Sequence, residues 1–160
     1  MSAVMMTTAA PPATARDLLQ LTKPRLSALV LFTAAPGMWI SGARPSLVQL
    51  AVTMLATAGV VGAANAFNCY IERDSDRFMA RTATRPLPAG RMEPKVALLF
   101  AFALAIASVP LLALASNLLT GVLGLTALLS YVLVYTPLKA RTHWAMIVGA
   151  FPGALPPLMG

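Results

Sequence analysis

The chain has 160 residues, enough for one domain, yet 58% of it is hydrophobic before its 10 glycines are counted and only 11% is charged. Soluble domains run to about 45–50% apolar with glycine included and about 25% charged, and a fold this small has little interior to hide such a surplus; a soluble globular domain is excluded. The +7 formal charge comes from 12 Lys and Arg scattered among apolar runs, not from the continuous basic face that nucleic acid needs, and one cysteine, Cys69, allows neither an internal disulfide nor a cysteine-held metal cluster.

An all-α fold follows, a polytopic transmembrane helical bundle, because a spanning helix satisfies its own backbone hydrogen bonds within hydrocarbon. Residues 1–15, rich in Ala, Thr, Met and Pro, read as a disordered lead-in, and residues 16–160 as one membrane domain. In ARDLLQLTKPR, the leucines Leu18, Leu19 and Leu21 stand beside Arg16, Lys23 and Arg25. The segment reads equally as an interfacial helix and as a basic stop ahead of a span. Spans are predicted at about 26–42 and 47–71, the first carrying Pro36-Gly37 and the second a small-residue face of Gly59, Gly62, Ala63, Ala64 and Ala66 suited to close helix packing.

Four of the five acids, Glu72, Asp74, Asp76 and Glu93, sit at or beyond the end of the second span. Charge at membrane depth costs of order 2.5–3.5 kcal/mol per group on insertion scales, so the cluster calls for an explanation. At about 100° per residue Asn68, Glu72 and Asp76 share one helical face, while Asp74 points away as a solvated charge. An oxygen-lined stripe with room for water suits Mg2+, which takes one or two carboxylates and completes its shell with water and phosphate oxygens; zinc would call for His or Cys. Arg77, Arg81, Arg85 and Arg91 follow, and guanidinium grips phosphate oxygens in pairs. A helix continuing past Asp76 would carry the arginines away from the stripe, so Arg81 and Arg85 turn back only if it ends before them; Pro86, Pro88 and Gly90 come slightly late for that.

Further spans are predicted at about 96–116, 118–138 and 145–160, with kinks at Pro110 and at Pro152, Pro156 and Pro157, and the last stretch looks cut off within a span. YTPLKARTH follows the fourth span and sets Lys139 and Arg141 on the same side as the acids, where they serve equally as site or anchor. Tyr131, Tyr135 and Trp144 read as interfacial belt, and the lone His143 as a loop residue. Alternate connections carry all the Lys and Arg but one, Arg44, so the N-terminus and the Glu72–Lys95 loop are predicted to be cytoplasmic.

LTKPR at Leu21–Arg25, NAFNCYIERDSDRFMARTATRPLPAGR at Asn65–Arg91 and the stretch from YTPLKARTH onward together resemble the intramembrane UbiA-type aromatic prenyltransferases, over about residues 18–160. NxxxExxxD followed by MxRTxxRPLPxG carries the resemblance; Ala145 departs from the Asn that many relatives have after LKxxT. The resemblance implies that Asn68, Glu72 and Asp76 form the first Mg2+-diphosphate motif, with Arg81 and Arg85 in its extension. It also implies a second acidic motif in a later half, and hence that these residues form the N-terminal part of the domain, inactive alone. Within the family the similarity is to the branch that takes farnesyl diphosphate and haem b as substrates in the bilayer and yields haem O. A sister enzyme acting on a quinone precursor or chlorophyllide, and a membrane transport subunit using the acids for ion passage, are the alternative readings.

Single cysteines introduced at Ser75 and at Arg44 are expected to react with an impermeant reagent from opposite sides of the membrane. Labelling of both from one side refutes the topology.

Overall fold

In the computed structural model of the chain, residues 12–40, 42, 45–139 and 141–158 are described, with the backbone alone for residues 39, 157 and 158. Most of the predicted lead-in, residues 1–11, and Arg44 lie outside the described residues. Every regular element among the described residues is helical: α1 (Ala15–Leu21), α2 (Pro24–Ile40), α3 (Leu47–Ile71), α4 (Arg73–Asp76), α5 (Pro94–Ala115), α6 (Leu118–Leu129), a π-helical turn (Ser130–Tyr135), α7 (Thr136–Lys139) and α8 (Ala145–Leu158). The last turns before the fourth connection form one rod, Leu118–Lys139.

Helix starts follow local chemistry. Thr14 caps α1 in a capping box with Asp17, and Ser46 does the same for α3 with Gln49. Asn117 Oδ1 accepts from the Thr120 amide at 2.8 Å at the head of α6, and Pro94 opens α5 where its missing N–H costs nothing. Residues 14 and 15, predicted within the lead-in, thus belong to the start of α1. The prolines bend no helix to a stop: α2 runs through Pro36, α5 through Pro110, and α8 through Pro152 and Pro156.

Three helices, Leu47–Ile71, Pro94–Ala115 and Leu118–Lys139, are long and apolar enough to cross a membrane, and α8 is a shorter apolar helix. Helix α2, at 17 residues, spans roughly 25 Å at 1.5 Å per residue, against a hydrocarbon core of about 30 Å. The chain is an integral membrane protein. Its outer faces are apolar, with Leu29, Phe32, Leu55, Ile106, Leu114 and Ile147 all exposed, as lipid requires and water penalises.

The helices close into a ring in which α3 touches α5, α5 touches α6, α6 touches α8, α8 touches α2, and α2 returns to α3; α3 and α6 also meet across it. The small residues of α3 make this possible. Ala63 and Ala66 are fully buried, a Cβ on Gly59 would fall 1.9 Å from Ser108 Oγ, and one on Gly62 would press on Thr22. Between α2, α3, the end of α6, the π turn and α8 lies a cavity of about 140 Å³ lined by residues including Val30, Val60, Ala64, Leu128, Gly153 and Pro156. Apolar cavities of about 150 Å³ stay dry and admit a benzene-sized guest.

A Cβ on Gly121 would lie 2.5 Å from Ala113 Cβ and 3.0 Å from its Cα, so backbone, not a rotatable tip, blocks it. Gly121→Val is expected to part α5 from α6 and destabilise the bundle by about 1–3 kcal/mol, measured by reversible unfolding in mixed micelles. An unchanged midpoint would show that the two helices separate freely there.

Candidate functional site

The oxygen stripe predicted on one continuous helix is built across a break. Helix α3 ends at Ile71, Glu72 is its C-cap, and the single turn of α4 ends at Asp76. The Asp76 amide still donates to the Glu72 carbonyl at 2.8 Å, so the three groups keep a helical succession. Past Asp76 the chain leaves the helix: Thr82 Oγ1 donates to the Asp76 carbonyl at 2.9 Å, and the Arg85 amide donates to the Thr82 carbonyl at 3.0 Å. A buried threonine hydroxyl, rather than the later prolines, thus turns the segment back.

Each oxygen-bearing group meets a cation from a different segment. Arg85 Nη1 lies 2.6 Å from Asp76 Oδ2, Lys139 Nζ lies 3.1 Å from Glu72 Oε1, and Lys23 Nζ donates to Asn68 Oδ1 at 2.5 Å. Asp76 and Asn68 are buried, 3% and 2% exposed, which makes the pairing obligatory rather than ornamental: an unpartnered charge there would cost several kcal/mol. Of the residues singled out from sequence, Asn68, Glu72, Asp76, Arg85 and Lys139 converge. Arg81, Arg141 and His143 are exposed and take no part in these pairs. Asp74 is exposed and pairs with Arg73 at 3.5 Å, as its direction on the helix predicts.

Sequence reasoning missed Lys23 as a site residue, taking it as flanking charge. No local signal marks it: the residue before a proline, here Pro24 at the start of α2, is ordinarily extended. Lys23 takes φ +49°, a left-handed conformation rare for a non-glycine residue and costing of order 1–3 kcal/mol. Neighbouring bonds enforce it. The Thr22 carbonyl accepts from Asn65 Nδ2 at 3.1 Å and from Ser27 Oγ at 2.8 Å, and the Lys23 carbonyl accepts from the Leu26 and Ser27 amides. Burial pushes the Lys23 ammonium below its ordinary pKa, with Arg85 and Lys139 acting the same way against Cys69 and Glu72.

The π turn supplies the opposite wall. Its wider winding lets Thr136 Oγ1 donate to the Tyr131 carbonyl at 2.9 Å while accepting from Asn68 Nδ2 at 3.4 Å, which fixes the amide with its oxygen toward Lys23. Tyr131, predicted as belt, is half-buried and lines the apolar cavity together with Asn65, so cavity and polar cluster adjoin along one face of α3. Tyr135 stacks at 5.1 Å on Tyr131, and Trp144 is exposed.

No group of three or more His, Cys, Asp or Glu stands together among the described residues. The donor set is two carboxylates and one amide oxygen. That set is too small to cage a cation and fits Mg2+, which keeps open positions for water and phosphate. Three cations face two carboxylates, leaving a surplus positive charge for an anion.

The UbiA prenyltransferase family matches the chain over residues 30–160. Among curated relatives, a protoheme IX farnesyltransferase of Myxococcus xanthus is 66% identical over 149 residues, 93% of this chain and 51% of that protein. One of Anaeromyxobacter dehalogenans is 56% identical over 94% of this chain and 51% of its own length. One of Synechocystis is 43% identical over 88% and 45%. The chain spans about half the length of these relatives. No solved structure matches it.

Proposed function

The chain belongs to the UbiA prenyltransferase family, and we propose that the protein transfers the farnesyl group of farnesyl diphosphate to a vinyl group of haem b, giving haem O. The observation that supports this reading is the set of three cation-paired oxygen groups set against an apolar cavity, a diphosphate site joined to a place for the first part of an isoprenoid chain. The names of the relatives favour haem b as acceptor. The protein is proposed to lie in a bacterial inner membrane with Glu72–Lys95 cytoplasmic, where both substrates are at hand.

In this mechanism the allylic C–O bond breaks and its electron pair leaves with the diphosphate. Arg85, Lys139 and Lys23 hold the negative charge that grows on the leaving group; Arg85 does so through two parallel N–H bonds that a lysine cannot supply. Mg2+, proposed to be held by Glu72, Asp76 and Asn68, neutralises part of the same charge when bound. In the cation-paired arrangement the basic groups rest on the acids, so no buried charge is bare before a diphosphate binds and the cations are already gathered where it would sit. The apolar walls keep water from the farnesyl cation until the terminal vinyl carbon of haem b attacks it. Water then captures the cation formed beside the ring and loses a proton, leaving a hydroxyethylfarnesyl side chain. Arg81 and Arg141 are proposed as further anion contacts, from the motif and the basic pair; their exposed guanidinium groups leave them available. A later segment with a second acidic motif is proposed to complete the site.

In the complete enzyme, Asp76→Asn and Glu72→Gln are expected to cut haem O formation by about 10²-fold or more, with Asp74→Asn nearly silent. Equal losses for all three carboxylates would refute the assignment, provided each variant still accumulates in the membrane. Arg85→Lys is expected to raise the apparent KM for farnesyl diphosphate by about tenfold and Arg81→Lys by less; the reverse order would move the diphosphate away from Asp76.

Gly153 lines the cavity with nothing within 4 Å of an added Cβ. Gly153→Leu is therefore expected to fill the cavity without a clash and shift preference from farnesyl toward geranyl diphosphate in competition assays. Unchanged preference would place the chain elsewhere.

A further inference from the structure

We propose that α1 is a strap whose docking by Arg91 positions Lys23 in the polar cluster, so that Asp17, Gln20 and Arg91 are positioning residues for anion binding. The proposal rests on the reading of the cluster as a diphosphate site, and it gives Arg91, a phosphate candidate by sequence, a different role together with Asp17 and Gln20.

Arg91 Nη2 lies 3.5 Å from Asp17 Oδ1, donates to Gln20 Oε1 at 3.3 Å and donates to the Thr84 carbonyl at 3.1 Å. One guanidinium thus joins two acceptors on α1 to the segment that carries Arg85. Asp17 also closes the capping box with Thr14, so its carboxylate orders the first turn of α1 while Arg91 holds it. Farther along, Leu21 is 1% exposed, its carbonyl faces Cys69 Sγ at 4.0 Å, and Thr22 is tied to Asn65. Lys23 comes next, left-handed and aimed at Asn68.

Geometry, not bond strength, carries the inference. Arg91 is about half exposed, and such a pair adds little to global stability. A strained residue persists only where its surroundings over-determine it, and for Lys23 those surroundings are α1 on one side and α2 on the other. Helix α1 has seven residues, too few to hold its conformation unaided, so its order depends on docking. Released from Arg91, the turn of α1 that carries Asp17 and Gln20 loosens, and the Leu21–Lys23 junction, left to the Leu21 packing and its local bonds, holds Lys23 less firmly on Asn68. Arg85 has its own anchorage through Asp76 and Thr82, so it stays in place.

The test uses the complete enzyme in lipid nanodiscs, with covalent footprinting by N-ethylmaleimide and acetic anhydride read by mass spectrometry, and with Mg2+ plus inorganic diphosphate as the binding probe. Arg91→Gln and Asp17→Asn are each expected to raise labelling of Cys69 and Lys23 several-fold while Lys95 labels as before. Both are expected to weaken diphosphate binding about tenfold when Lys23 is present, the scale of one charged hydrogen bond, and to cost nothing more in a Lys23→Met background. In an Arg85→Gln background their effect is expected to persist in full. Unchanged footprints in both variants, or an undiminished loss of binding in the Lys23→Met background, overturn the proposal. Should the unaltered complete enzyme bind no diphosphate, the functional reading fails, while the footprints still decide the strap.

Discussion

Ion pairing at the edge of hydrocarbon governs the polar end of this bundle. Asp76 and Asn68 are nearly solvent-free, and a carboxylate or amide in that setting has no water to fall back on. Each is met by a cation drawn from elsewhere in the chain: Lys23 from before α2, Arg85 from the segment after α4, and Lys139, which meets Glu72, from the end of α7. The three partners lie on three connections that must all return to one point. Much of the local architecture follows from that convergence: the stop at Asp76, the hydroxyl latch of Thr82, the π turn that presents Thr136, and the left-handed Lys23. Among the described residues no buried side-chain nitrogen or oxygen lacks a partner, which is what such a network needs if it is to hold one arrangement.

Helix α3 ties this polar end to the membrane interior. Its small residues bring α5 and the α1–α2 junction close, and the same surface, one turn on, carries Asn65 and Asn68. The spacing matters chemically. Asn65 lines the apolar cavity and Asn68 the polar cluster, three residues apart on a helix whose axis points from one to the other. A ligand with a charged head and an apolar tail finds both environments along a single wall.

Much of this was legible in the sequence because the signals were local. Apolar runs predicted 47–71, 96–116, 118–138 and 145–160, and the helices begin and end within a few residues of those limits. The acid spacing marked Asn68, Glu72 and Asp76, and the separate fate of Asp74 followed from its angle on the helix. What escaped was determined by contacts between segments remote in sequence. Lys23 looked like one more flanking cation because nothing local shows that its ammonium reaches Asn68, 45 positions later. Arg81 and Arg85 looked equivalent because only the Thr82 turn, a tertiary feature, separates the residue that folds back from the one left in the open. Tyr131 was read as belt because position along a rod does not reveal which way a π turn rotates its face.

The surplus of cations over carboxylates links the site's structure to its proposed chemistry. With acids in excess the cluster would attract metal but repel a diphosphate, and with cations alone it would bind anions without placing a metal among them. Three cations over two carboxylates and an amide suit both demands: Glu72, Asp76 and Asn68 would be the groups to hold a metal, and Arg85, Lys139 and Lys23 the ones to meet phosphate oxygen. Turning from carboxylate to phosphate needs side chains that can swing between nearby acceptors. Of the two ion-paired cations Lys139 is the more exposed and Arg85 the less. A charge already held in place by its neighbours stabilises a leaving group without the cost of reorganising.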